Sequence, residues 1–472
     1  MQTAGRIGTI RGAALAVAVA LGMSGPTGVR AENMADALVG AYNTSGLLEQ
    51  NRALLRAADE NVALQVSALR PIINWTTEFA RTLNDSRVGA LVTTPQSSTI
   101  FTGLRLEWLI YDGGASGLGV QAAKETVLAT RQRLVEIEQI ILLRAVAAYM
   151  NVLLQGENVS LQLNSVRLGG EELRAAQDRF EVGEVTRTDV ALAESRLAAS
   201  RSSLANARGA LVNARAEYTN AVGHAPGTLA GQPALPQRAA SIESAQALAM
   251  RNHPLILEAQ HTVAAAELVV LQTQKALGPT ASVVANVGVE ENFGNTNYRH
   301  NADAAVVFRQ PIYRGGRLAA DVRRVMARRD GDRADLLTVQ RDVMQDVNDA
   351  FVRLEVARAS LVATNERVRA AQVAFDGIRE EATLGARTTL DVLTAEQELL
   401  NAQTARISDL AERSISSYEL LSRQGLLTAE RLSLGVQIYD PTIYYNLVKN
   451  APASMSQQSK DLDRVLEALG KR

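Results

Sequence analysis

The sequence predicts a mainly helical fold, written twice, in which each half also carries two short amphipathic strands suited to a membrane β-sheet. Three observations predict it. Aromatic residues make up only 4% of the 472 residues, while helix-favouring Ala, Leu, Arg, Glu and Gln abound. No proline lies between Pro95 and Pro226 or between Pro311 and Pro441, and each gap of about 130 residues invites long helices. The two gaps also carry the same motifs in the same order. "IYDGG" at Ile110 returns as "IYRGG" at Ile312, and "VGEVTRTDVALAE" at Val182 returns as "LGARTTLDVLTAE" at Leu384, both at an offset of 202. A repeated register of that length reads as an internal duplication.

The elements follow in order. Arg6 and Arg11 precede the apolar run "GAALAVAVALGM", and Val29 and Ala31 occupy the small positions of a cleavage site, so residues 1–31 read as a secretory signal with the mature chain starting near Glu32. Residues 32–222 form the first repeat: a helix near Met34 to Leu69, strands near Ile72 to Thr82 and Thr99 to Ile110, then helices near Ser116 to Phe180 and Thr188 to Val222. Residues 223–241, rich in Pro and Gly, form the linker. Residues 242–424 repeat the plan: a helix near Ile242 to Leu277, strands near Thr280 to Glu291 and Asp303 to Ile312, and helices near Leu318 to Thr383 and Thr389 to Arg423. Residues 425–472 form a less regular tail. The loop "GALVTTPQSS" accommodates about six residues that the second half lacks.

The long helices carry heptad seams. Leu197, Ser200, Leu204, Ala207, Leu211, Ala214, Tyr218 and Ala221 step by three and four, and Leu393, Leu400 and Ile407 keep the seven-residue spacing. The first long helix has two seams, Leu134, Ile137, Ile141, Ala148, Val152 and Ile140, Leu143, Ala147, Met150, Leu154, which predicts two flanking neighbours, as in a curved wall of helices.

The strands alternate. Ile73, Trp75, Thr77 and Phe79 oppose Asn74, Thr76 and Glu78; Leu104, Leu106, Trp108 and Ile110 oppose Arg105 and Glu107; Val283, Ala285, Val287 and Val289 oppose Asn286 and Glu290. Strands of about ten residues with one apolar and one polar face suit a bilayer. No apolar run of about 18 residues follows the leader, so the reading expects no transmembrane helix. Four strands alone leave unpaired edges, which hydrocarbon does not tolerate. Closure therefore requires several copies; two would give eight strands and three would give twelve, and the residues do not choose.

Other chemistry is excluded. Net charge is −1, so no basic field points to nucleic acid, and the absence of cysteine removes disulfides, thiolate metal sites and lipidation at the leader. His253 and His261 lack a third metal ligand, and no phosphate-loop motif is present, so no cofactor, metal or enzymatic role is expected.

"PIYRGG" followed some 70 residues later by "GARTTLDVL", together with the earlier "VGEVTRTDV", resembles the TolC-like outer-membrane channel proteins over nearly the whole mature chain. The resemblance implies a homotrimer with a twelve-stranded β-barrel in outer-membrane lipid and a long α-helical barrel crossing the periplasm. It further implies a passive exit duct for drugs or proteins, partnered by a periplasmic adaptor and an inner-membrane RND or ABC transporter. The contrasting expectation is a soluble periplasmic coiled-coil scaffold whose strands never enter lipid.

The repeated turn is where a site is expected. Gly183 and Gly385 suit a left-handed helix end, and Thr186 with Asp189 and Thr388 with Asp391 fit capping boxes. By resemblance, Arg387 matches the family's tip arginine, Thr188 and Asp189 match its partners on the other hairpin, and Asp391 matches an acid ring lining the constriction. The tips at Val182, Gly183, Leu384 and Gly385 match adaptor-docking positions. The sequence departs from the family at Thr394, where many members carry a second Asp, and at Ala382, where a tyrosine braces the closed gate.

Overall fold

A computed structural model of the chain describes residues 31–83, 86–89, 91–93, 96–293, 298–453 and 456–468. The signal-peptide expectation therefore lies outside the described residues, apart from its last position. The elements run α1 (Met34–Thr44), α2 (Gly46–Ser67), β1 (Ile72–Leu83), β2 (Ser86–Val88), β3 (Leu91–Thr93), β4 (Gln96–Tyr111), α3 (Ala115–Glu181) and α4 (Arg187–Val222). They continue as α5 (Ile242–Asn252), α6 (Pro254–Lys275), β5 (Thr280–Asn292), β6 (Tyr298–Arg309), α7 (Arg317–Thr383), α8 (Thr389–Arg423), α9 (Pro441–Val448) and α10 (Gln457–Ala468).

Several boundaries differ from the sequence reading, each for a local reason. The first helix of each repeat is broken in two. Ser45 leaves the helical conformation and caps α2 by accepting from the Leu48 N–H. His253, which precedes a proline and is biased away from helix, caps α6 with Pro254 at its first turn. The fourth long strand starts five residues early, at Tyr298, and stops at Arg309, because Pro311 has no N–H to donate to a ladder. The loop between β1 and β4 carries the small β2–β3 hairpin. Two helices, α3 and α6, each contain an 18-residue window long and apolar enough to cross a membrane by length and composition alone. In α3 that apolarity serves packing: the helix touches α2 and α4 on one flank and α6 and α8 on the other.

The two long helices span 67 residues each, about 100 Å at 1.5 Å per residue. They use their length differently. α3 buries twenty residues because it has neighbours on both sides. α7 buries nine, packing on α5, α6 and α8. Leu337, Met344, Val352, Val356, Val362 and Val373 of α7 stay exposed, as do Leu47, Leu54 and Leu64 on α2 and Leu192 and Val212 on α4. The helices thus form a wall in the order α2/α4, α3, α6/α8, α7, with α4 and α8 also meeting toward the tips.

The sheet repeats that order. Its strands pair antiparallel as β1-β4-β5-β6, and β1 follows α2, β4 leads into α3, β5 follows α6 and β6 leads into α7. The register brings Trp75, Leu104, Val287 and Ala302 into one row and Val283, Val306 and Trp108 into another. One face is therefore largely apolar, and its large side chains stay exposed: Trp75 is 71% exposed, Val287 59% and Phe308 67%. The opposite face carries Asn74, Glu78, Arg105, Glu107, Asn286, Glu290 and Asp303, with the Asn286 amide donating to Asp303 at 2.9 Å. Gly103 faces Gly288 across β4 and β5, and a Cβ on Gly103 would stand 2.4 Å from the Val287 carbonyl oxygen. β1 and β6 each leave one edge unpaired.

The principal core lies at the middle of the wall, where Tyr149, Leu142 and Met150 of α3 meet Tyr218 of α4, Leu38 of α1 and Leu427 of the tail. The tail then runs over α2 and α3. Tyr445 receives the Arg131 guanidinium on its ring face at 5.3 Å, and Arg52 lies between the rings of Tyr42 and Tyr439 at 5.2 Å from each.

Candidate gate at the helical tips

The two tips are built alike. α3 ends with Gly183 at φ 80°, its N–H donating to the Phe180 carbonyl at 3.0 Å and the Glu184 N–H to that of Arg179 at 2.9 Å. α7 ends with Gly385 at φ 77°, with matching bonds from Gly385 to Ala382 and from Ala386 to Glu381 at 3.2 and 2.9 Å. This paired closure satisfies the last carbonyls and needs a left-handed residue, which glycine adopts without strain. The next helix starts at once. The Thr186 N–H and hydroxyl donate to Asp189 Oδ2 at 2.9 and 2.7 Å, and the Asp189 N–H returns a bond to Thr186 Oγ1 at 3.3 Å. Thr388 and Asp391 repeat the pattern at 3.0, 2.8 and 3.2 Å.

These bonds set the charge. Hydrogen bonds from the backbone N–H and hydroxyl of Thr388 hold the Asp391 carboxyl below the usual carboxylate range, with Arg387 adding to the effect. Asp189 is lowered by Thr186 in the same way. Both tips therefore present a fixed negative charge at neutral pH. Arg387 is raised by its bond to Glu381, to which its Nε donates at 2.7 Å.

The expected residues fall as follows. Asp189 and Arg387 line one cleft of about 560 Å³ between the tips, together with Glu184, Thr186, Gly385 and Thr388. Within one chain they do not bond each other: Arg387 is held by Glu381 of its own hairpin and Asp189 by its own cap. Thr188 is exposed and stands outside that cleft. Val182 and Leu384 are the most prominent apolar tip residues, 71% and 80% exposed. Thr394 donates its hydroxyl to the Leu390 carbonyl at 2.8 Å, and Ala382 is buried beside Phe375 and Val392. Of the two histidines weighed as ligands, His253 is a buried helix cap whose pKa burial pushes down to about 4, and His261 bonds Glu125 at 2.8 Å.

The sequence reading missed the polar residues above the tips. Glu396 is 7% exposed, three residues past Leu393 in the α8 seam. A charged residue at a seam position was the available signal.

Comparison with known proteins fits this geometry. The family model described as "Outer membrane efflux protein" matches residues 41–224 and 229–425. The chain is similar to the outer membrane efflux protein BepC of Brucella suis biovar 1 (strain 1330), 36% identical over 421 residues, covering 89% of this chain and 91% of that one. It is similar to the alkaline protease secretion protein AprF of Pseudomonas aeruginosa, 26% identical over 58% of this chain and 59% of that one. Its fold matches the Campylobacter jejuni CmeC outer membrane channel with a TM-score of 0.74 at 14% identity, covering 92% of this chain and 89% of that one. With an exposed apolar sheet face and a family match over most of its length, this chain belongs to the outer membrane efflux protein family and is an outer-membrane protein.

Proposed function

We propose that three copies of the chain close into a passive exit duct, with the four-stranded sheets joined edge to edge as a twelve-stranded barrel and the helical walls continuing it into the periplasm. One observation carries the reading: sheet and helices share a single lateral order and end in open sides at the same places, β1 with α2/α4 and β6 with α7. Joining β6 of one copy to β1 of the next satisfies the unpaired backbone groups that lipid would otherwise expose. The same step covers the bare apolar residues of α7 against those of α2 and α4. A soluble scaffold is disfavoured because it needs the apolar strand face to pack on the helices, and that face is exposed.

In this reading the tips form the gate at the inner mouth. Three copies of Asp391 converge there as an acid ring that attracts cations, and Arg387 reaches Thr188 and Asp189 of a neighbouring copy when the mouth is shut. Val182, Gly183, Leu384 and Gly385 offer the apolar knobs on which a periplasmic adaptor docks. The adaptor links the duct to an inner-membrane RND or ABC transporter, and the cargo is a drug or a protein. The names of the relatives support both cargo classes, since one is an efflux protein and another a protease secretion protein. Reconstitution in a planar bilayer tests the reading. A small, cation-selective resting conductance is expected, and a protein that never inserts refutes it.

A further inference from the structure

The tail is tied to the first two helices at three levels. The Tyr439 N–H donates to the Tyr42 hydroxyl at 3.4 Å, the Tyr444 hydroxyl donates to Glu60 at 2.7 Å, and Arg70 Nη1 donates to the Ala451 carbonyl at 2.6 Å. α9 therefore lies along α2, and α10 packs on α9 without burying any of its own residues. Between them is a cavity of about 290 Å³, at the lower end of the size range of small-ligand sites. Ile438, Ile443, Tyr444 and Val465 of α10 give it apolar walls, and Arg52 and Arg56 of α2 bring two cations to it. Both guanidiniums are held in place. Arg52 is clamped between the rings of Tyr42 and Tyr439, and Arg56 bonds Tyr439. Their side chains are only 17% and 12% exposed, yet the nearest carboxylate, Glu49, stands 3.7 and 3.6 Å from them, beyond hydrogen-bond length. Asp440 also lines the cavity, but its Oδ1 accepts from the Thr442 N–H and hydroxyl at 2.8 and 2.6 Å and is committed to the cap of α9. Two fixed forks with uncommitted donors, set beside apolar walls, match a carboxylate carried on an apolar body.

We propose that this cavity is a binding site for a small apolar carboxylic acid, which sets its carboxylate on Arg52 and Arg56 and its body against Ile438, Ile443, Tyr444 and Val465. A bare anion would leave those walls wet, and an amine would meet two cations. The acid touches α2, α9 and α10 at once, so it fastens the tail to the wall, and binding only the folded arrangement stabilises it. The site is remote from the tips: Arg131, under the Tyr445 ring, lies roughly 75 Å along α3 from Val182 by helical rise. The inference therefore does not rest on the gate.

Ligand-observed NMR on the full-length protein in nanodiscs tests it, with empty nanodiscs as the blank. The probe is 3-phenylpropionate; 3-phenylpropylamine supplies the same body with the opposite charge, and inorganic phosphate supplies an anion without a body. The acid should bind saturably, about tenfold or more tighter than either control, and should raise the thermal unfolding midpoint. Arg56→Gln should weaken it by about tenfold or more. Asp440→Asn keeps an oxygen for the Thr442 cap and removes a like charge, so it should tighten binding by about threefold. Val465→Trp fills the cavity from a residue outside the core and should abolish binding; it reads the site even if Arg56→Gln disturbs folding. No saturable binding of the acid, equal binding of acid and amine, phosphate bound as tightly as the acid, or wild-type affinity in Val465→Trp would each overturn the site.

Discussion

Val287→Arg examines the bare face most sharply. Val287 lies near the middle of β5 (Thr280–Asn292), in one row with Trp75, Leu104 and Ala302, and is exposed on the apolar side. Thirteen residues rise about 43 Å along the strand, or about 33 Å at a 40° tilt, so this row sits near the centre of a hydrocarbon layer about 25–30 Å thick. Arg at that depth costs about 2–4 kcal/mol per copy, or about 6–12 kcal/mol for three copies in one barrel. Asn286→Arg is the control. It stands one residue away on the polar face, where Asp303 is within reach of a cation. The assay is the fraction of chain recovered from outer membranes as a heat-modifiable assembly on gels. Val287→Arg should nearly abolish that species and Asn286→Arg should preserve it. Equal recovery of the two would refute the assignment of faces.

Three further outcomes are expected. Asp391→Asn, which removes charge but keeps an oxygen for the Thr388 cap, should reduce cation block of single-channel conductance, and unchanged block would remove Asp391 from the pore lining. Gly288→Val should impair folding, because a Cβ there stands 2.6 Å from the Thr102 carbonyl oxygen and 2.7 Å from the Phe101 ring; normal yield of assembled protein would contradict the register of β4 and β5. Asp59 of α2 is fully buried with both oxygens unpartnered, and burial pushes its pKa up from 3.8 to about 7. The folded chain therefore keeps a proton that the unfolded chain releases, and stability falls as pH rises from about 4 to about 7, by up to about 4 kcal/mol per chain. Asp59→Asn should flatten that part of the unfolding profile relative to wild type; parallel profiles would show that Asp59 does not titrate there.

Much of this architecture is legible in the residues. The alternation through Trp75 and Val287 identifies strands and assigns their faces, because a two-residue period leaves no other partition. The paired seams of α3 announce two flanks, and both flanks are filled. The tips are legible because Gly and the Thr-x-x-Asp boxes encode their own geometry locally. What escaped depends on distant parts of the chain. The break at Ser45 carries only a weak cap signal, and the one at His253 was marked by Pro254 but lies inside an otherwise continuous apolar pattern. The contacts of Arg196 with Leu393 and of Arg379 with Glu172 join residues about 200 positions apart, and no local pattern reports such pairs.

The most direct test of the account is the number of chains in the detergent-extracted outer-membrane particle, read by native mass spectrometry. Three chains per particle are predicted, joined through the free sides of β1 and β6. A single chain that stays dispersed in water without detergent would contradict it.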